Sequence, residues 1–155
     1  MIFLIISVTA AGVLDFFAIK NIPRTEIADQ TSDLKRWIIG NTNPKSVFLT
    51  NDSIPYSDSA IAAVNLAGRY LYVVATCVNS SCDVNKRIAI SKRIYSFEGG
   101  LEQTKSLLKQ EKIDYVLIDD LVKNNALLQV NENAFADNFD AVYQKQGVSV
   151  YKVLD

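Results

Sequence analysis

Two adjacent carboxylates, Asp119 and Asp120, have the type and the position that ligand chemistry needs. They follow the apolar, β-branched run Ile113–Ile118, which predicts a buried strand. Open α/β sheets bind ligands at the carboxyl ends of their strands, so Asp119 could contact a metal or a ribose there. A polar residue at a strand end can instead cap the following helix, and this structural role competes with the functional one.

A second group of charged residues follows the two cysteines of the chain. Asp83 and Arg87 have the spacing of a helical ion pair, and Arg93 lies further along the same predicted helix. Lys86 and Lys92 add positive charge, so this segment could contact a phosphate or a lipid head group. The alternative interpretation is an ordinary solvated helix face.

The cysteines, Cys77 and Cys82, are separated by Val-Asn-Ser-Ser. This spacing is wider than the redox Cys-x-x-Cys motif, and two sulfurs without a histidine make a poor metal site. The pattern therefore favours a local disulfide that pins a loop, with two free cysteines as the alternative. A disulfide would place the domain outside the cytoplasm, since disulfides persist in oxidising compartments.

Composition removes several classes of function. The 155 residues include no histidine, which excludes Ser-His and Cys-His nucleophile pairs and most zinc sites. The formal net charge of -1, without a long run of one sign, argues against nucleic acid as a partner. The chain has neither a Gly-x-Gly-x-x-Gly nor a Walker-type phosphate loop, so no cofactor, metal or catalytic residue is predicted.

Tyrosines are numerous enough to suggest a surface that stacks on sugars. The residues concerned are Tyr70, Tyr72, Tyr95, Tyr115, Tyr143 and Tyr151. Most of them fall inside predicted strands, where tyrosine packs well with its hydroxyl at the edge. Core packing is therefore the favoured interpretation.

The beginning of the chain is a candidate membrane segment. Residues 2–14 carry no charge, and the apolar character resumes after Asp15 as far as Ile19. A complete span needs about 18 apolar residues or more, so the end of a transmembrane helix, a signal peptide and a buried core helix are the alternatives. We favour a membrane contact through residues 1–19. Lys20 and Arg24 lie just after this segment and argue against an extracytoplasmic location of the chain that follows, because positive charge favours the cytoplasmic side of a membrane.

Helices and strands alternate along the rest of the chain. Helices are predicted from Ser32 to Gly40, from Ser57 to Gly68, over Asn85–Tyr95, from Leu101 to Glu111 and around Ala126. Strands are predicted at Ser46–Thr50, Tyr70–Val74, Ile113–Ile118, Phe139–Lys145 and Val148–Leu154. This order predicts an α/β fold, a small three-layer Rossmann-like sheet that is mostly parallel. An antiparallel hairpin about Gln146 and Gly147 ends it, and an apolar membrane-type helix precedes it. The expected division is a membrane segment or anchor at 1–20, a linker at 21–30 and a soluble α/β domain at 31–155.

Several segments together resemble a known family. They are Ala-Gly-Val-Leu-Asp at 11–15, Leu-Lys-Arg-Trp-Ile at 34–38, Asn41–Thr50, Ala62–Arg69, Arg93–Tyr95, Ile113–Val116, Val142–Tyr143 and Val150–Val153. In this order they resemble the soluble C-terminal domain of polytopic membrane proteins of the GT-C glycosyltransferase type. Those proteins use polyprenyl-phosphate sugars and carry their catalytic acid in an early loop that is absent here.

The resemblance implies a non-catalytic, extracytoplasmic accessory domain that shapes the acceptor side or supports the membrane core. The Gly68-Arg69 step and the segment from Asp83 to Arg87 match places where such domains carry similar residues. With Arg93 and Asp119 they form the predicted set of ligand or phosphate contacts. The implied partners are a lipid membrane, transmembrane helices of a larger protein and a lipid-linked sugar or its acceptor. The rival hypothesis is a free-standing, secreted or membrane-anchored module that binds a small ligand near Asp52 and Asp119.

Overall fold

Six helices and five strands form the described part of the chain. A computed structural model describes residues 32–50, 60–73 and 83–153. The helices are α1 (Ser32–Asn41), α2 (Ile61–Leu66), α3 (Val84–Tyr95), α4 (Gly100–Gln110), α5 (Asp120–Lys123) and α6 (Glu132–Asn138). The strands are β1 (Val47–Leu49), β2 (Tyr70–Leu71), β3 (Tyr115–Ile118), β4 (Asp140–Lys145) and β5 (Val148–Lys152).

The strands form one mixed sheet in the order β2-β1-β3-β5-β4. β1 is parallel to β2 and β3, but each of these pairings joins only two residue pairs. β5 is antiparallel to β3 and β4, and these pairings join four and five residue pairs. The prediction of a mostly parallel, Rossmann-like sheet is therefore wrong. The sheet is mostly antiparallel because the long C-terminal hairpin, and not another crossover strand, lies next to β3.

Both faces of the sheet are covered by helices, because successive side chains of a strand point to opposite faces. Phe48 packs in one core with Ile38 of α1 and Val64 of α2. Leu49, the next residue, packs in a second core with Leu108 of α4 and with residues of α3 and α6. All five of these side chains are fully buried. The helices therefore hold β1 from both sides and fix the direction in which its carboxyl end points.

The segment from α4 to β3 follows the sequence pattern closely. Gly99 and Gly100 both have φ of 83°; Gly99 precedes α4, as predicted, whereas Gly100 is the first residue of this helix. Thr104 and Leu108 face inward and are buried, and all four residues of β3 are buried as well. The predicted helix followed by a buried strand is confirmed.

The predicted hairpin turn is also confirmed. Lys145 pairs with Val148, and the two residues between them, Gln146 and Gly147, have φ values of 52° and 75°. A two-residue turn with positive φ at both positions is the type that joins twisted antiparallel strands. A Cβ atom at Gly147 would lie 3.1 Å from a carboxylate oxygen of Asp120, so the turn packs closely on the beginning of α5.

The helix predicted around Ala126 is wrong, since Ala126 lies in a turn between α5 and α6. The helix of this region is α6, which begins after Asn131, whose side chain accepts a hydrogen bond from Ala134 N. Its single fully buried residue is Phe135. Phe135 contacts the rings of Tyr95, Phe97, Phe139 and Tyr151. One aromatic side chain therefore anchors α6, and no repeating apolar pattern was needed to form it.

The predicted membrane segment at 1–20, the linker at 21–30 and the Cys77–Cys82 bridge lie outside the described residues. Within the described ranges, no helix is long and apolar enough to cross a membrane. The longest of them, α3, has 12 residues, whereas a span needs about 18 or more. The α/β fold preceded by a membrane-type helix is thus corrected to an α/β fold whose described part contains neither such a helix nor a disulfide.

Candidate functional site

Asp119 is buried at the carboxyl end of β3, with 5% of its surface exposed. Its Oδ1 accepts a hydrogen bond of 2.9 Å from Val122 N and so caps α5. Its Oδ2 accepts one of 3.2 Å from Ala60 N, directly before α2. The capping role weighed in the sequence is confirmed for α5, and the second carboxylate oxygen binds the residue that precedes α2. A ligand role for Asp119 stays a prediction.

Tyr95 of α3 lies fully buried beneath the ends of β1 and β3. Its hydroxyl is 2.9 Å from Leu117 O and 3.3 Å from Leu49 O. The hydroxyl proton is therefore donated to carbonyl oxygens of the two adjacent parallel strands, β3 and β1. Burial, and then the negative charge of Asp119, raise the pKa of Tyr95 well above its usual value of 10.0. The hydroxyl therefore stays a neutral donor.

Arg69 binds the carboxyl end of α1. Its Nε donates to Thr42 Oγ1 at 2.9 Å, and its Nη2 donates to the carbonyl oxygens of Thr42, Ile38 and Ile39 at 3.0 to 3.3 Å. Nη1 donates to Ala67 O at 2.7 Å. A guanidinium at this end of a helix satisfies free carbonyl groups and opposes the negative end of the helix dipole. These contacts are structural, and a ligand contact of Arg69 stays a prediction.

The predicted ion pair between Asp83 and Arg87 is not formed. Asp83 instead caps α3 by accepting a hydrogen bond of 3.0 Å from Lys86 N. Arg87 Nη1 donates to Tyr72 O at 2.8 Å, and its guanidinium carbon lies 5.2 Å from the centre of the Tyr72 ring. The Tyr72 hydroxyl donates to Glu111 Oε2 at 2.8 Å. Burial, followed by this hydrogen bond, raises the pKa of Tyr72. The chain of contacts joins α3 to the end of β2 and to α4.

Arg93 lies apart from the other predicted contact residues. Its Nε is 3.9 Å from Glu98 Oε2, and both side chains are substantially exposed. Exposed pairs of this kind contribute little to stability. No hydrogen bond or ion pair among the described residues joins Arg69, Asp83, Arg93 and Asp119 to one another, and each of them binds a different part of the fold.

The interpretation of the tyrosines as core residues is confirmed for five of the six. Tyr72, Tyr95, Tyr115, Tyr143 and Tyr151 are at most 9% exposed, whereas Tyr70 is 60% exposed. Tyr115 also stacks on Phe48, with 4.8 Å between the ring centres. A sugar-stacking surface built from these side chains is not present in the described part of the chain.

A small pocket lies at the carboxyl ends of β1 and β2, and has a volume of about 100 Å³. Its walls come from three parts of the chain. The strand ends provide Thr50 and Val73, α3 provides Ile88, Ser91 and Lys92, and the turn after α5 provides Asn125, Leu127 and Leu128. The pocket is therefore assembled by the fold and not by one local motif.

The pocket lies next to the point where the connections of the parallel strands diverge. β1 leads to α2 on one face of the sheet, while β3 leads through α5 to α6 on the other face. Between two such strands the backbone leaves a crevice at the carboxyl ends. Ligands of open α/β sheets bind at this topological position.

The pocket wall is mostly apolar, with one cation at its margin. Val73 and Leu128 are buried, and Ile88 is partly buried. Ser91 Oγ already donates to Arg87 O at 2.8 Å, which leaves its oxygen as an acceptor. Lys92 is partly buried and takes no part in the three ion pairs formed among the described residues. Among the described residues that form the pocket wall, Lys92 is the only one with a cationic side chain.

Sequence reasoning identified Lys92 as part of a basic helix face and did not identify the pocket. Leu127 and Leu128 lie in a stretch without helical or alternating periodicity, so no pattern indicated that they face the strand ends. Thr50 and Val73 were recognised as strand residues only. The pocket could not be predicted because the sequence does not indicate where the turn after α5 lies. The position of this turn depends on packing around Phe135.

Metal binding has no support in the described residues, where no three side chains of histidine, cysteine, aspartate or glutamate come together as a possible site. No family model matches the chain, and no curated protein matches it. No relative therefore supports the glycosyltransferase-like assignment, and the resemblance to GT-C-type domains stays untested.

Proposed function

We propose that this chain is a non-catalytic α/β domain that binds a small molecule in the pocket at the carboxyl ends of β1 and β2. The observation that carries the proposal is the mostly apolar pocket that has Lys92 in its wall and lies next to the divergence of β1 and β3. Such a combination of apolar walls and a few polar groups is typical of ligand sites.

The charged side chains already form hydrogen bonds within the fold, and this supports a binding role over a catalytic one. Both carboxylate oxygens of Asp119 accept hydrogen bonds from backbone N–H groups. Arg69 is held by α1, and Arg87 is held by the Tyr72 carbonyl group and ring. A general acid or base must be able to reach a substrate proton, and these groups are directed at the fold itself.

The accessory role expected from the resemblance stays a prediction, as do its partners and an extracytoplasmic location. No contact among the described residues tests binding to a lipid-linked sugar or to transmembrane helices of a larger protein. The small-ligand module that was its rival is the basis of the proposal. That hypothesis placed the ligand near Asp52, which lies outside the described residues, and near Asp119, whereas the proposed site is the pocket at the carboxyl ends of β1 and β2.

The proposal is tested by titrating the ¹⁵N-labelled chain with n-butyrate, butyramide and n-butylamine and following the backbone amide shifts. We expect at least one compound to shift the amides of Ile88–Lys92 and Asn125–Leu128 in a saturable way. The variant Ser91→Leu places an aliphatic side chain at the pocket wall and should abolish the shifts. Ser106→Leu, at an exposed position of α4, is the matched control.

Two results would contradict the proposal. One is the absence of saturable shifts at these amides with all three compounds. The other is binding by the folded Ser91→Leu protein that equals binding by the Ser106→Leu control. The amide spectrum of each variant reports whether it is folded, so a loss of binding is separated from a loss of structure.

A further inference from the structure

The distribution of charge in the pocket points to the chemical class of its ligand. Carbon atoms dominate the wall through Val73, Ile88 and Leu128, while Lys92 brings one positive charge to the margin. This arrangement complements a molecule with an apolar body and a single negative head. The inference deepens the proposed function and rests on it.

The size of the pocket limits the apolar body. An apolar cavity of roughly 150 Å³ takes up benzene. The present pocket measures about 100 Å³, so it has room for a short aliphatic chain and less room than a benzene ring needs. A long acyl chain or an aromatic ring system exceeds this space.

The donors around the pocket distinguish between anions. A phosphate group carries three acceptor oxygens, and each oxygen that is buried without a partner is unfavourable. Lys92 is the only cationic residue among the described residues of the wall, whose other polar side chains are Thr50, Ser91 and Asn125. The Ser91 proton is already donated to Arg87 O. One ammonium and solvent at the margin suit a carboxylate, which has two oxygens and a single charge.

Lys92 forms no ion pair with a carboxylate among the described residues. The Asp119 carboxylate is directed at Ala60 N and Val122 N, and Asp83 is directed at Lys86 N. Arg87, on the same helix as Lys92, adds positive charge and is bound to Tyr72 O. The positive charge of Lys92 is therefore not paired with a carboxylate in any of the ion pairs among the described residues.

We infer that the pocket binds a short-chain aliphatic carboxylate, with its head at Lys92 and its chain between Val73, Ile88 and Leu128. The carboxylate replaces an exposed water shell by a charge-assisted hydrogen bond, and the chain removes apolar surface from water.

The test compares n-butyrate with butyramide, a neutral molecule of nearly the same shape, by titration of backbone amide shifts. We expect butyrate to bind about tenfold more tightly, the equivalent of ~1.4 kcal/mol. Lys92→Met keeps an unbranched side chain and removes the charge, so it should abolish this difference. Lys86→Met, an exposed position of the same helix outside the pocket wall, is the matched control and should keep the difference.

Equal affinity for butyrate and butyramide at the pocket amides would overturn the carboxylate inference and leave the proposed function standing. Unchanged butyrate binding by Lys92→Met would overturn it too. Inorganic phosphate that binds more tightly than butyrate at the same amides would replace the carboxylate by a phosphate. Absence of binding by butyrate, butyramide and n-butylamine alike would refute the proposed function together with the inference.

Discussion

Asp119 offers the sharpest test of how the fold is held together at the end of the sheet. Its carboxylate bonds Val122 N at 2.9 Å and Ala60 N at 3.2 Å, and the side chain is 5% exposed. Asp119→Ala removes both acceptors at once. Loss of a helix N-cap destabilises a protein by about 1 kcal/mol. An unpaired N–H group at Ala60, which is buried, adds about 1 to 3 kcal/mol.

We therefore expect Asp119→Ala to lower the free energy of unfolding by about 2 to 4 kcal/mol. Asp119→Asn keeps one carbonyl oxygen for Val122 N but presents an amide NH₂ group to Ala60 N–H, so it should fall between the wild type and the alanine variant. Urea denaturation measures all three proteins. Amide hydrogen exchange then reports which of the two N–H groups has lost protection in each variant.

Asp137→Ala is the control, because it makes the same substitution at an exposed position of α6. Surface substitutions of this kind usually change stability by about 0.5 kcal/mol or less. If Asp119→Ala is no more destabilising than Asp137→Ala, the carboxylate does not hold α2 and α5 at the end of β3, and the argument for its structural role fails.

Two further predictions concern side chains bound to the backbone of distant elements. Arg69→Met removes the donors at the end of α1 and should lower the free energy of unfolding by about 1 to 3 kcal/mol, with faster amide exchange in α1. Arg36→Met, which breaks only the exposed pair with Asp33, should have a much smaller effect in the same urea titration, and equal effects would contradict the role of Arg69. The fold favours the neutral form of Tyr95 and raises its pKa above the usual value of 10.0. The contribution of Tyr95 to the free energy of unfolding is therefore complete below pH 10 and decreases as the pH rises above that value. Urea titrations between pH 9 and 11 should therefore show a smaller loss of stability for Tyr95→Phe than for the wild type or the Tyr70→Phe control, and identical slopes would refute this.

Local sequence patterns were sufficient for most elements of the fold. The β4–β5 hairpin was predictable because a Gln-Gly step lies between two alternating segments, and α4 was predictable because its apolar residues recur at helical spacing. α6 has only Phe135 as a large apolar residue and depends on aromatic neighbours that come from α3, from the turn after it, and from β5. Such a helix is determined by tertiary packing, which a local pattern does not contain.

The direction of the sheet and the roles of the charged residues needed non-local information. The alternation of helices and strands indicated parallel neighbours, but β5 reaches β3 from the far end of the chain. Arg69 has the type of a ligand residue, and its partners at the end of α1 lie 27 to 31 residues earlier. For Asp119, the cap to Val122 was predictable from spacing, whereas the bond to Ala60 spans 59 residues.

The mixed topology also has a kinetic consequence. The β4–β5 hairpin closes through a two-residue turn, and hairpins of this kind form within about 1 to 10 μs. The β1–β3 pairing instead joins Phe48 to Tyr115 across most of the domain, so its chain entropy must be lost before its contacts are gained. The pocket depends on this late pairing, because Thr50 reaches its wall only when β1 is in the sheet. We therefore expect the capacity to bind ligand to appear at the end of folding, after the antiparallel half of the sheet is already complete.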